Sequence, residues 1–281
     1  MLDWLTTPFQ LGFMQRALLE VLLMGLTCGV IGAYVVLRGM AFLGDALAHA
    51  IFPGVVIAFL LSVNLFFGAL VFGALTTLGI GGIARNRRVS EDSAIGVLFT
   101  GAFALGVVLI SGVKGYTGNL ADFLVGQVLG VSPVDVIISL VVGALVLGAL
   151  AFFHKELLLV AFDREMAEAM GLPVAALDLG LLMGMALTII VSLQAVGNIL
   201  VVAMLVTPAA AARLWTDRLG VMMAISAGFG MLGGLVGLLV SYYGNYAAGG
   251  AIVLLVTLIF GVSYVVAPRH GLLARRTAAR A

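Results

Sequence analysis

The sequence predicts an all-α fold, a polytopic transmembrane helical bundle of about nine spans, and three observations carry that prediction. Hydrophobic residues make up 63% and charged residues only 10% of the 281 positions, with a mean hydropathy of +1.25, whereas about a quarter of a soluble domain is charged. Apolar runs of about 20 residues, the length that crosses a hydrocarbon core, recur along the chain. Glycine contributes 37 residues, well above its usual share of about 7%, as expected where helix backbones approach closely in lipid. The alternating strands of about ten residues that a membrane β-barrel needs are absent.

Taken in order, the first run, 14–37, is too long for the core of a signal peptide and has no basic segment before it, so it reads as retained. The second, 42–61, carries Asp45, His49 and Pro53, and Pro53 frees a backbone carbonyl and permits a kink. The third is 63–84. The fourth, 93–112, follows SEDSAIG, where Glu91 and Asp92 complement a helix dipole. The connection 114–133 contains GNLADFLVGQVLGVSP, an apolar stretch too short to span, read as a short outer-face or re-entrant helix.

The fifth span is 134–153. In the loop that follows, FDREMAEAMGLP reads as a short helix. Asp163 caps it, Met166 and Met170 share a face, Gly171 stops it and Pro173 opens the next span. The sixth span is 174–193. The seventh, 195–212, is short and contains Pro208, so eight full spans plus a broken one is the alternative count. Spans 219–242 and 247–267 complete the set. No internal repeat, low-complexity segment or Ser-rich linker divides the chain, so residues 1–281 read as a single transmembrane domain.

Basic residues mark the cytoplasmic side of short loops. With nine spans, only Arg16 and Lys114 of the 14 Lys and Arg fall on the opposite side from the rest. The amino terminus is therefore expected outside and the carboxyl terminus inside.

Asp45 and His49 stand at i and i+4, on one helix face one turn apart, where a carboxylate and an imidazole can converge on one cation. That donor pair suits manganese, iron or zinc, and two chains at a symmetry axis would supply four ligands. The alternative is that Asp45 caps a helix start and His49 is a hydrogen-bonded core residue. Glu20 and Asp178 lie near span starts and read as interfacial, and His154 and His270, beside Lys155 and Arg269, read as solvated. Cys28, alone in the chain, reads as a small packing residue. The net charge of +1 argues against a nucleic-acid partner. No H-E-x-x-H, G-x-S-x-G or phosphate-binding G-x-x-x-x-G-K-[ST] occurs, so the chain does not read as an enzyme and any ATP hydrolysis must come from another subunit.

The segments VVLRGMAFLGDALAHAIFPGVVIAFLL, SEDSAIGVLFTGAFALGVVLI, FDREMAEAMGLPV, VGNILVVAMLVTPAAAA and GLLVSYYGNYAAGGAIVLL, in this order over about 14–268, resemble the permeases of ATP-binding-cassette importers for manganese, zinc and iron. LRGMAFLGDALAHAIFPGV is nearest to the manganese-type permeases. The resemblance implies a type II importer-like permease in a bacterial cytoplasmic membrane. It further implies a homodimer bound to two cytoplasmic ATPase subunits, which use the ATP, and loaded by an extracellular or periplasmic metal-binding protein. No permanently bound cofactor is implied; the metal is cargo, with Mn(II) favoured over Zn(II) and Fe(II). Asp45 and His49 match the ion-coordinating positions. Phe162, Asp163, Arg164, Glu165, Met166, Ala167, Glu168, Ala169, Met170, Gly171, Leu172 and Pro173 match the helix that couples to the ATPase. Competing readings are an ion-coupled secondary transporter using Asp45 and His49 as a relay, and a wider permease for chelated iron or cobalamin.

Overall fold

The computed structural model describes residues 7–84, 90–112 and 128–274. Within them no strand occurs, and twelve α-helices follow one another. They are α1 (Gly12–Leu37), α2 (Ala41–Ala50), α3 (Phe52–Leu60), α4 (Leu65–Ala84), α5 (Glu91–Ser111), α6 (Pro133–Phe152), α7 (His154–Phe162), α8 (Arg164–Ala169), α9 (Val174–Val196), α10 (Asn198–Trp215), α11 (Leu219–Gly244) and α12 (Ala248–Val266). Among the described residues nine spans are long and apolar enough to cross a membrane, α2 and α3 acting together as Ala41–Leu60. In the 114–133 connection only a 3₁₀ turn at Val128–Gly130 and the cap before α6 are described. Lys114 and the ADFLVGQ stretch, Arg85, Arg87, Arg88, Arg275, Arg276 and Arg280 lie outside the described residues, as do the side chains of Glu91 and Asp92.

Local chemistry accounts for the helix limits. Ser90 caps α5 by accepting from the Ser93 amide at 3.2 Å, and Ser132 with Asp135 forms a reciprocal capping box at the start of α6. The second span is interrupted just ahead of Pro53, which has no N–H to bond to the carbonyl of His49 four residues earlier. Ile51 divides it into α2 and α3 while keeping near-helical angles, φ −76° and ψ −13°. The seventh span is not broken. Helix α10 runs 18 residues straight through Pro208, so the eight-span alternative falls.

Small residues set the packing. A Cβ on Gly29 of α1 would stand 2.7 Å from the backbone of Ala227 in α11, and one on Gly54 of α3 would stand 2.1 Å from the carbonyl oxygen of Gly68 in α4. Helix backbones this close gain dispersion contacts that larger side chains would prevent. Helices α1, α9 and α10 hold most of the fully buried side chains, among them Ile31, Tyr34, Met185, Ile189, Met204 and Leu205. At the periphery α4, α5, α6 and α12 turn outward Phe67, Val97, Val141 and Leu254, which cost nothing against hydrocarbon.

Two sequence expectations change here. Glu20 is fully buried and not interfacial: its Oε1 accepts from Ser139 Oγ of α6 at 2.6 Å. It stands eight residues into α1, about 12 Å along the axis, too deep for a short carboxylate to reach the boundary. His154 is not simply solvated, because the buried Tyr34 hydroxyl meets its Nδ1 at 2.9 Å, as a buried hydroxyl requires. His270 remains half exposed but stands 3.1 Å from Asp217, which Arg213 and Arg269 also approach.

Candidate functional site

Gly39, at φ +70°, turns the chain at the end of α1, and α2 starts two residues later. Leu43, Ala46, Leu47 and Ala50 form its buried stripe, a helical i, i+3, i+4, i+7 pattern that fixes which side faces the core. Asp45 and His49 point the other way. Because α2 begins at Ala41 behind Met40, Asp45 lies in its second turn and does not cap it; the capping alternative fails. At Gly44 α2 comes close to its neighbours, and a Cβ there would meet Leu205 Cδ2 at 2.8 Å.

His49 Nε2 and Asp45 Oδ1 are 3.6 Å apart, with side chains 24% and 41% exposed respectively. Two donors each about 2.2 Å from one ion at a tetrahedral angle are themselves about 3.6 Å apart, so the pair is already spaced as neighbouring ligands. Phe99 and Phe103 of α5 wall the imidazole, with ring centroids 5.7 and 5.6 Å from it. Asp45 is the more open of the two. Asn198, the first residue of α10, reaches His49 from the core, its Nδ2 donating to Nε2 at 3.2 Å. Among the described residues no group of three or more His, Cys, Asp or Glu side chains stands together.

Sequence reasoning brought Asp45 and His49 to one face but missed Asn198, Phe99 and Phe103. A polar Asn in an apolar run was the available signal; the aromatic wall depends on how α5 packs against α2, which no local pattern encodes.

The second candidate region lies at the Arg38 end of the bundle. Asp163 caps α8, its Oδ1 accepting from the Met166 amide at 2.8 Å. Gly171 at φ +78° ends the turn, and the amides of Gly171 and Leu172 bond back to the carbonyls of Glu168 and Ala167, a Schellman closure. Ala167 is fully buried while Phe162, Met166 and Met170 are each more than half exposed. Arg164 spans from this helix to Asp178 of α9 at 3.0 Å, and the other Asp178 oxygen takes Arg38 from the end of α1. Arg38, Met40, Leu43, Arg164 and Asp178 line a cavity of about 560 Å³ immediately beyond α2.

Known proteins resemble this chain along nearly its whole length. Residues 10–267 match the model of the ABC 3 transport family. A protein named "Manganese transport system membrane protein MntC" from Halalkalibacterium halodurans is 44% identical over 94% of this chain and 90% of its own. A "Probable iron transport system membrane protein" from Haemophilus influenzae is 38% identical over 94% of this chain and 97% of its own. The solved structure "PsaBC from Streptococcus pneumoniae in complex with Fab" aligns over 100% of both chains at 37% identity, with a TM-score of 0.86. A multi-pass helical bundle matched along nearly its whole length by this family is a member of it: the chain belongs to the ABC 3 transport family.

Proposed function

We propose that this chain is the permease subunit of an ATP-driven importer of divalent transition-metal ions, with Mn(II) as the favoured cargo. The carrying observation is the Asp45–His49 pair, 3.6 Å apart on the outward face of α2, a mixed carboxylate and imidazole set suited to first-row metals. Two donors leave a coordination shell incomplete, and a second copy facing the first supplies two more. The functional unit is therefore a homodimer, with the ion held between the paired α2 helices. Manganese is favoured by the name of the H. halodurans relative; the H. influenzae relative, named for iron, makes Fe(II) the second reading, with Zn(II) beside it.

Segment 162–173 is the ATPase-coupling element, with Phe162, Met166 and Met170 as its apolar contact face. Two ATPase subunits dock there from the cytoplasm, which is the side of Arg38, Lys155, Arg164, Arg213, Arg218 and Arg269 by the distribution of positive charge. The amino terminus then lies outside the bacterial cytoplasmic membrane, where an external metal-binding protein delivers the ion. Residues 1–281 act as one transmembrane unit.

The test is metal uptake into proteoliposomes holding permease and ATPase, with the binding protein present. Asp45→Ala and His49→Ala should each abolish ATP-dependent uptake while the complex assembles as wild type. Wild-type uptake by either variant refutes the site, and uptake that persists without the ATPase subunit moves the chain to ion-coupled secondary transport.

A further inference from the structure

We infer that Asn198 completes each half of the Asp45–His49 site as a third ligand, and that its carboxamide oxygen tilts the site toward hard ions such as Mn(II) and away from Zn(II). The inference rests on the cation-site reading above.

Asn198 is only 4% exposed. It opens α10 directly after Gly197, whose φ of +87° and ψ of +163° only glycine adopts at low cost, so the backbone fixes where its side chain projects. A carboxamide nitrogen can only donate, so at 3.2 Å it occupies the Nε2 lone pair that a metal would need. The partner atom, Asn198 Oδ1, is buried with no hydrogen-bond partner among the described residues, a costly state for an amide oxygen.

One movement of Asn198 makes the imidazole available. A half-turn about its terminal torsion exchanges nitrogen for oxygen, frees the Nε2 lone pair and turns the oxygen toward an ion held beside His49, with ligation offsetting the cost of moving the amide nitrogen into the unpartnered position. The spacing is compatible: ligands about 2.2 Å from one ion and about 90° to 109° apart stand about 3.1 to 3.6 Å from each other, a range that holds both the 3.2 Å between Asn198 and His49 and the 3.6 Å between His49 and Asp45. The amide thus stands one ligand edge from His49, as Asp45 stands another. The chemistry also fits, because a carbonyl oxygen suits Mn(II), whereas imidazole and carboxylate alone follow the affinity order that favours Zn(II).

The experiment measures Mn(II) and Zn(II) binding by calorimetry to the full chain reconstituted with its ATPase subunit, for wild type, Asn198→Ala, Asn198→Asp and Asp45→Ala. Asn198→Ala should weaken Mn(II) by about 10- to 100-fold and Zn(II) distinctly less, shifting the ratio of the two Kd values toward Zn(II). Asn198→Asp, which keeps an oxygen at that position, should bind Mn(II) at least as well as wild type. Equal weakening of both ions by Asn198→Ala would mean that the residue only orients His49 and would overturn the ligand role, as would no change in either ion. If Asn198→Ala does not assemble, Asn198→Asp decides: loss of Mn(II) binding by an assembled Asn198→Asp complex overturns the inference. Asp45→Ala separates the two levels. If it binds Mn(II) as wild type does, the site itself is wrong; if it loses Mn(II) while Asn198→Ala does not, only the role of Asn198 falls.

Discussion

Arg164, the first residue of α8, stands 3.0 Å from Asp178, and Asp178 also holds Arg38 at the end of α1. Three residues beyond Arg38, α2 begins. A carboxylate shared between two guanidinium groups thus joins segment 162–173, proposed to couple to the ATPase, to the segment that carries Asp45 and His49. Asp178→Asn keeps the shape and removes the charge. ATP hydrolysis by the assembled complex should then continue while metal uptake per ATP falls by about tenfold, within the usual range of coupling energies. Parallel measurement of phosphate release and uptake in the same proteoliposomes checks this; equal loss of both would contradict it.

Met170 lies on the exposed apolar face of the same segment. Met170→Glu places a charge in the middle of an apolar contact, where central residues carry about 2 kcal/mol or more of binding. Co-purification with the ATPase subunit should be lost or sharply reduced. The thermal stability of the isolated permease should stay within about 0.5 kcal/mol, because about two thirds of the side chain is exposed.

Ser139 holds one oxygen of the fully buried Glu20, and the other oxygen has no partner among the described residues. Ser139→Ala leaves both unmatched, which costs about 1–3 kcal/mol. Thermal unfolding in detergent should show that loss. Uptake per assembled complex should be unchanged, since neither residue reaches the Asp45 face of α2.

Gly54→Ala drives a methyl group into the Gly68 carbonyl, and overpacking of this kind costs about 1–3 kcal/mol. Gly148, where an added Cβ meets nothing within 4 Å, is the control. Gly148→Ala should leave the melting temperature unchanged or slightly raised, whereas Gly54→Ala should lower it and reduce the assembled yield.

The Asp217 carboxyl, in the loop between α10 and α11, is held below its ordinary value of 3.8 by the hydrogen bond from Arg269, then by His270 and the charge of Arg213. The folded chain keeps this carboxylate ionised to lower pH than the unfolded chain does. Its contribution to stability is therefore complete above pH 3.8 and fades as pH falls through the depressed value. The melting-temperature gap between wild type and Asp217→Asn should hold steady from neutral pH down to the ordinary carboxyl range and close below it.

The parts of the molecule that were legible in the sequence are those decided within a few residues. Asp163 and Gly171 delimit α8 because a cap and a left-handed stop act on their own turn. The shared face of Asp45 and His49 follows from helical spacing alone. What stayed hidden depends on packing between distant segments: Asn198 meets His49 across 149 positions, and the depth of Glu20 follows from α1 starting as early as Gly12. Proline was ambiguous for the same reason. Pro53 divides its span, but Pro208 lies within a continuous α10, and one residue type gives both outcomes according to its neighbours.

Asp45 and His49 occupy successive turns of one short helix, so their backbones keep a fixed separation unless α2 unwinds, and the 3.6 Å between the donor atoms is left to the two side-chain rotamers. Under the proposed role, release of a shared cation falls to those rotamers or to whatever faces α2, so the pair distance and that gap are the two quantities to follow through a transport cycle.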